Sequence, residues 1–99
     1  MEFGKLEIRP DDRIALADGC ALTLTVRELE LLTALAQNPN RVMTREELMQ
    51  RVWHRGFDPR DRSVDVYIGR LRSKLRNALP GTSFIHTHAG LGYRFSAGS

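Results

Sequence analysis

The chain has 99 residues, 41% hydrophobic and 27% charged, with a formal net charge of +3, which fits a single domain with one modest core. No apolar run approaches the roughly 18 residues of a membrane span, and the start, MEFGKLEIRPDD, carries charges where a secretory leader needs an apolar stretch. One cysteine, Cys20, excludes an internal disulfide and fits a reducing cytosol; four Lys/Arg stand against seven Asp/Glu in residues 1–40, and eleven against five in residues 41–99.

Phe3 to Arg9 reads as a strand, closed by the turn Pro10-Asp11-Asp12. Arg13 to Leu16 reads as a second strand. Asp18-Gly19 is a hairpin signal, because both residues tolerate positive φ, and Ala21 to Leu24 follows as a third strand. Cys20 is expected to pack in a strand rather than react. The short spacing predicts an antiparallel meander, and nothing in it carries a chemical motif.

Thr25 opens the first helix. Thr25-x-x-Glu28 is a capping box, in which the hydroxyl takes the Glu28 N–H and the carboxylate reaches back. Leu29, Leu32, Leu35 and Ala36 recur at helical spacing, with Leu31 and Ala34 widening the stripe, until Asn38-Pro39-Asn40 stops the helix. Thr44-x-x-Glu47 repeats the device and opens a second helix to about Trp53, with Leu48, Met49 and Val52 as its apolar face. Arg45 lies in its first turn, where backbone N–H groups can hold a phosphate; a solvated arginine paired with a nearby Glu explains it as well. His54 to Arg60, HRGFDPR, is a loop longer than a minimal turn needs.

Asp61 to Arg76 reads DRSVDVYIGRLRSKLR. At 100° per residue, Val64, Ile68, Leu71 and Leu75 gather in one arc and predict a buried stripe. Arg62, Val66, Gly69, Arg70 and Ser73 gather on the other side. Long cations mixed with small and apolar residues suit a major groove, where Arg donates to guanine or phosphate and Val touches a thymine methyl. A basic solvated face suits the same residues, and the positive second half fits a polyanion, an acidic protein or plain solvation. Leu79-Pro80-Gly81 ends this region. Phe84 to His88 and Gly92 to Phe95 read as a hairpin with Ala89-Gly90-Leu91 at its tip.

The order strands, helix, helix, loop, helix, hairpin is that of a winged helix-turn-helix. LTLTVRELELL, VMTREELMQRVW, DRSVDVYIGRLRSKL and the closing GLGYRF resemble the OmpR/PhoB-type winged-helix effector domain of bacterial two-component response regulators, over almost the whole chain. The resemblance implies an α+β fold: a four-stranded antiparallel N-terminal sheet within residues 1–24, three helices in 25–78 with the loop 54–60, and a wing hairpin in 82–96. It implies sequence-specific binding of double-stranded DNA in transcription control, without a cofactor. By position, Arg62, Ser63, Val66, Tyr67, Arg70 and Arg72 look like DNA contacts, with Val66 and Arg70 at base edges. Arg45 and Trp53 match positions that touch the DNA backbone. The loop, with His54, Arg55, Phe57, Asp58 and Arg60, resembles a segment that touches RNA polymerase in some members. The family tends to bind direct repeats, so a monomer that pairs on tandem half-sites is implied.

The chain departs from the family where Gly69 replaces a frequent basic residue, and where Ala89 replaces the arginine common at the wing tip. Wing contact with phosphate is therefore expected from His88 or Arg94. The family's receiver domain, with its phosphorylatable aspartate, does not fit within 99 residues beside this one. An alternative is a winged helix that acts mainly through protein contacts, with RNA polymerase or a sensor as partner. His86 and His88 share a strand face, but no further Cys or His completes a metal set. Gly-rich phosphate loops, GxSxG and HExxH are missing from the sequence, so no enzyme is expected. Trp53 is expected to be partly packed, and Tyr93 and Phe95 to anchor the wing in the core.

Overall fold

The computed structural model describes residues 1–96. Four short strands come first: β1 Glu2–Phe3, β2 Leu6–Arg9, β3 Ile14–Ala17 and β4 Cys20–Ala21. They pair antiparallel in the order β1-β2-β3-β4. The expected strand from Phe3 to Arg9 is therefore two strands. Gly4 takes φ +61°, and the chain reverses at Gly4-Lys5 so that Phe3 faces Leu6. This turn supplies the fourth strand that residue patterning alone missed.

The third expected strand, Ala21 to Leu24, is shorter than its alternation suggests. Only Cys20 and Ala21 pair in register; Leu22 makes one further bond to the Ala15 carbonyl (2.8 Å) before the chain leaves for the first helix. Cys20 is in a strand as expected, but it lies exposed at the end of the β3–β4 hairpin and does not pack.

Both capping boxes form. Thr25 accepts from the Glu28 N–H (3.1 Å) and starts α1, Val26–Ala36; Thr44 accepts from the Glu47 N–H (3.1 Å) and starts α2, Arg45–Leu48. The second helix reaches Trp53 as expected, but its last five residues, Met49–Trp53, form a π-helical turn. The widened turn closes on His54, which takes a left-handed conformation (φ +56°) and donates its N–H to the Gln50 carbonyl. The third helix, α3, is Ser63–Ala78. It begins two residues after the expected start, because the Asp61 carboxylate accepts the Ser63 N–H (2.9 Å) and holds Asp61-Arg62 as a turn outside the helix.

Between α1 and α2 the chain forms β5, Val42–Thr44, which residue patterning does not reveal. It pairs with β7, Gly92–Phe95, which also pairs with β6, Ile85–His88, so the wing hairpin is part of a three-stranded sheet in the order β5-β7-β6. Gly92 sits opposite Thr44 in this register. A Cβ added there would overlap the Met43 carbonyl oxygen and come within 2.8 Å of the Met43 carbonyl carbon. Close approach of two backbones is thus the reason for glycine at this position.

The core lies between the two sheets and the helices. Leu6 and Ile8 from β2, Leu31, Leu32 and Leu35 from α1, Leu48 and Met49 from the second helix, and Ile68 and Leu71 from α3 are sealed from solvent. Phe95 is fully buried, edge-on to Phe3 (4.7 Å) and stacked on Phe84 (5.9 Å). One carboxylate lies among these groups. Glu28, 1% exposed, takes Lys74 Nζ of α3 at 2.7 Å and the Thr25 N–H at 2.8 Å. Burial pushes its pKa up, but the Lys74 ammonium and the Thr25 donors outweigh that and hold it below the ordinary glutamate value. The pair ties the start of α1 to the outer half of α3. No helix among the described residues is long and apolar enough to cross a membrane.

Candidate nucleic-acid interface

The two arcs expected of α3 are realised. Val64, Ile68, Leu71 and Leu75 are buried, and Arg62, Val66, Gly69, Arg70 and Ser73 are exposed. Val66 is 46% exposed, a large apolar group left in water in the middle of a basic face. Gly69 opens this face: a Cβ built there meets no atom within 4 Å. Gly69→Ala is therefore expected to raise the stability of the free domain by about 0.5–1 kcal/mol, from helix propensity alone. Urea unfolding checks this, and a loss of stability would show that the helix is packed more tightly at Gly69 than the open space implies.

The flanks of the arc are tied to other elements. On one side, the Tyr67 ring meets Trp53 edge-on (5.4 Å) and carries the Arg70 guanidinium 5.1 Å from its centre. Trp53 is half-buried, as expected, and Arg27 of α1 sits 5.2 Å from its ring centre. Arg27 also donates to the Val52 carbonyl, one of those freed at the end of the second helix. On the other side, Arg72 donates to the Ile85 carbonyl (3.2 Å) and to the Thr87 hydroxyl, which docks β6 against α3.

Nearest the start of α3 lies a charge cluster built from three elements. The Asp65 carboxylate accepts from Arg45 Nε of α2 (2.9 Å) and from the Tyr93 hydroxyl of β7, and Arg62 Nη2 approaches it at 3.5 Å. The Arg45 guanidinium also lies 5.4 Å from the centre of the Tyr93 ring. Burial pushes the Asp65 pKa up, but Tyr93, Arg45 and Arg62 together bring it below the usual aspartate value. Burial and the neighbouring carboxylate raise the Tyr93 pKa, so the phenol keeps its proton and remains the donor. Sequence reasoning missed Asp65. The available signal was a lone carboxylate three residues after Arg62 on a strongly basic helix.

The remaining site residues are divided by the pleat of the second sheet. Tyr93 and Thr87 reach α3 side chains, so alternation places His86, His88 and Arg94 on the opposite face. There Arg94 Nε donates to His88 Nε2 (3.1 Å), and His86 Nε2 lies 3.3 Å from the Ser96 hydroxyl. Arg62, Val66 and Arg70 thus share the exposed arc with Ser63 at its start; Tyr67 and Trp53 lie on one flank, Arg45 and Arg72 on the other, and His88 and Arg94 lie across the wing sheet. The wing tip joins the Arg45 flank: Gly90 and Leu91 line an open groove with Arg45, Arg62, Phe57 and Pro59. In the loop, His54, Arg55, Asp58 and Arg60 are exposed and Phe57 is half-buried against the core. Arg55 Nη2 pairs with Asp61 (2.6 Å) and Arg60 Nη2 with Asp58 (3.1 Å).

The family model described as "Transcriptional regulatory protein, C terminal" matches residues 19–95. The chain is 43% identical over 100 residues to the transcriptional regulatory protein SrrA of Staphylococcus aureus; all of this chain is matched, and it spans 42% of that relative. Among solved structures, it resembles the DNA-binding domain of CpxR from E. coli (TM-score 0.90, 34% identity, 100% of this chain and 97% of that one). It resembles as well the Klebsiella pneumoniae RstA DNA-binding domain in complex with the RstA box (TM-score 0.89, 33% identity, 98% and 96%).

Proposed function

The chain belongs to the C-terminal family of transcriptional regulatory proteins, of the OmpR/PhoB type, and from that premise we propose that it binds double-stranded DNA by sequence as the output domain of a response regulator. The single observation that carries this reading is the outward arc of α3. It leaves Arg62, Val66 and Arg70 in water around a helix surface flattened by Gly69. A helix of this profile fits the major groove, with its first turns at base edges. Val66 then meets a thymine methyl, Arg70 a guanine edge, and Arg62 and Ser63 a phosphate at the helix start. Tyr67, Trp53 and Arg45 face the flanking backbone. Arg72 gives two of its donors, from Nε and Nη2, to the wing strand and so holds the wing beside the helix, with its remaining donors left for the DNA backbone.

Because His88 and Arg94 lie on the far sheet face, contact of the wing with DNA falls to its tip. The exposed loop from His54 to Arg60 is offered as a protein contact, with RNA polymerase as the partner the family suggests. Two copies on adjacent half-sites, and a place in the cytoplasm where the DNA is, belong to the same reading. So does an aspartate-bearing receiver beside this domain, in keeping with the chain spanning 42% of the length of its relative SrrA.

The experiment is selection of bound duplexes from a random pool, followed by titration of the enriched duplex against salt. Several phosphate contacts make log K fall steeply with log salt. Arg70→Ala is expected to weaken binding about tenfold and to relax preference at one base pair. Failure to enrich any duplex, or an Arg70→Ala protein with unchanged affinity and unchanged preference, overturns the assignment.

A further inference from the structure

The Asp65 cluster has no place in the reading above, since its carboxylate is 15% exposed and its charge is of the wrong sign to meet a phosphate. Yet it grips two of the proposed contact residues, Arg45 and Arg62, and the wing strand through Tyr93. We propose that Asp65 is a positioning residue: it orients Arg45 and Arg62 and removes one unit of positive charge from the DNA-facing surface, and so sets the ratio of specific to non-specific binding. This rests on the DNA-binding reading above.

The chemistry follows from counting charge and donors. With Asp65 ionised, the two guanidinium groups and the carboxylate sum to a net charge of +1. A phosphate that approaches off-register has to compete with a carboxylate already holding Arg45 at 2.9 Å. The two arginines differ in freedom, Arg45 being 25% exposed and Arg62 71% exposed. Asp65 therefore fixes Arg45 in one orientation and only restrains Arg62, which leaves Arg62 to turn outward when a phosphate arrives in register. Tyr93 holds the carboxylate from the wing side, so that helix, wing and second helix share one reference point.

The test compares Asp65→Asn with Tyr93→Phe, each titrated with an enriched duplex and with an unrelated duplex across a salt series. Asparagine keeps the shape and an acceptor oxygen but returns the missing charge. Asp65→Asn is expected to bind the unrelated duplex more tightly, and the slope of log K against log salt should steepen by about 0.9, the value for one phosphate. Between 50 and 200 mM salt that slope amounts to an extra loss of about 3.5-fold. Specific binding should gain less, so the ratio falls.

Tyr93→Phe keeps every charge and removes one donor. It should leave the salt slope and the unrelated duplex unchanged and weaken the enriched duplex alone. A purely structural Asp65 would move both duplexes together and leave the slope alone, which overturns the proposal. If Asp65→Asn fails to fold, Tyr93→Phe decides: equal effects on both duplexes, or none on either, also overturn it. Failure of the parent protein to enrich any duplex would instead remove the reading beneath it.

Discussion

Gly92→Ala is expected to cost about 3 kcal/mol of stability or more. The added methyl would overlap the Met43 carbonyl oxygen and lie 2.9 Å from the Thr44 Cα. Both neighbours are backbone, and both are held: Met43 is fully buried and Thr44 caps the second helix. Relief requires β5 and β7 to separate, which frees Tyr93 from Asp65 and loosens Phe95 in the core. Urea unfolding with a near-UV signal from the aromatic groups checks this. An alanine variant within 1 kcal/mol of the parent would mean that the two strands move apart at little cost.

Lys74→Met is expected to cost about 2–3 kcal/mol near pH 7, and the penalty should shrink in acid. Removing one partner of a buried ion pair costs about 3–5 kcal/mol, and less here because Lys74 is 38% exposed and partly screened. The pH dependence follows from Glu28. In the parent, its folded pKa lies below the unfolded value. Its charge therefore contributes stability that is fully present above the unfolded glutamate pKa of about 4.3 and is lost as the pH falls through the depressed folded value. Without the ammonium, only the Thr25 donors oppose burial, so the folded carboxyl takes up its proton at a higher pH than in the parent. The gap between parent and variant should thus narrow between neutral pH and about pH 3.5. A gap that stays constant across that range would show that lost packing of the Lys74 stem, not the charge pair, sets the cost.

What was legible in the residues was whatever a helix or a turn decides within its own few positions. Both capping boxes rest on spacings of three residues, Thr25 to Glu28 and Thr44 to Glu47, and both form. The buried stripe of α3 and the exposure of Val66 and Arg70 follow from periodicity alone. Family resemblance supplied the winged-helix architecture, which local patterning could not name. Most of what stayed hidden depends on distant partners, the Gly4-Lys5 reversal being the local exception. Val42–Thr44 is a strand only because Gly92–Phe95 comes alongside it. Phe3 to Arg9 reads as one strand because nothing but Gly4 marks the reversal. Cys20 was misjudged because it follows directly on the Asp18-Gly19 turn, in the edge strand of the first sheet. The Asp65 cluster joins residues 45, 65 and 93, and no window on the sequence contains all three.

The pairing of β5 with β7 bears on how the chain is made. One partner lies between the first two helices and the other is the last strand, so the sheet joins Val42 to Arg94. On the ribosome, the first two helices emerge well before the strand that closes over Met43. Until Gly92–Phe95 leaves the exit tunnel, the edge of β5 is open and the place of Phe95 is vacant. Completion of the domain then waits for Gly92–Phe95, and a nascent chain stalled before Gly92 offers chaperones an unpaired strand edge.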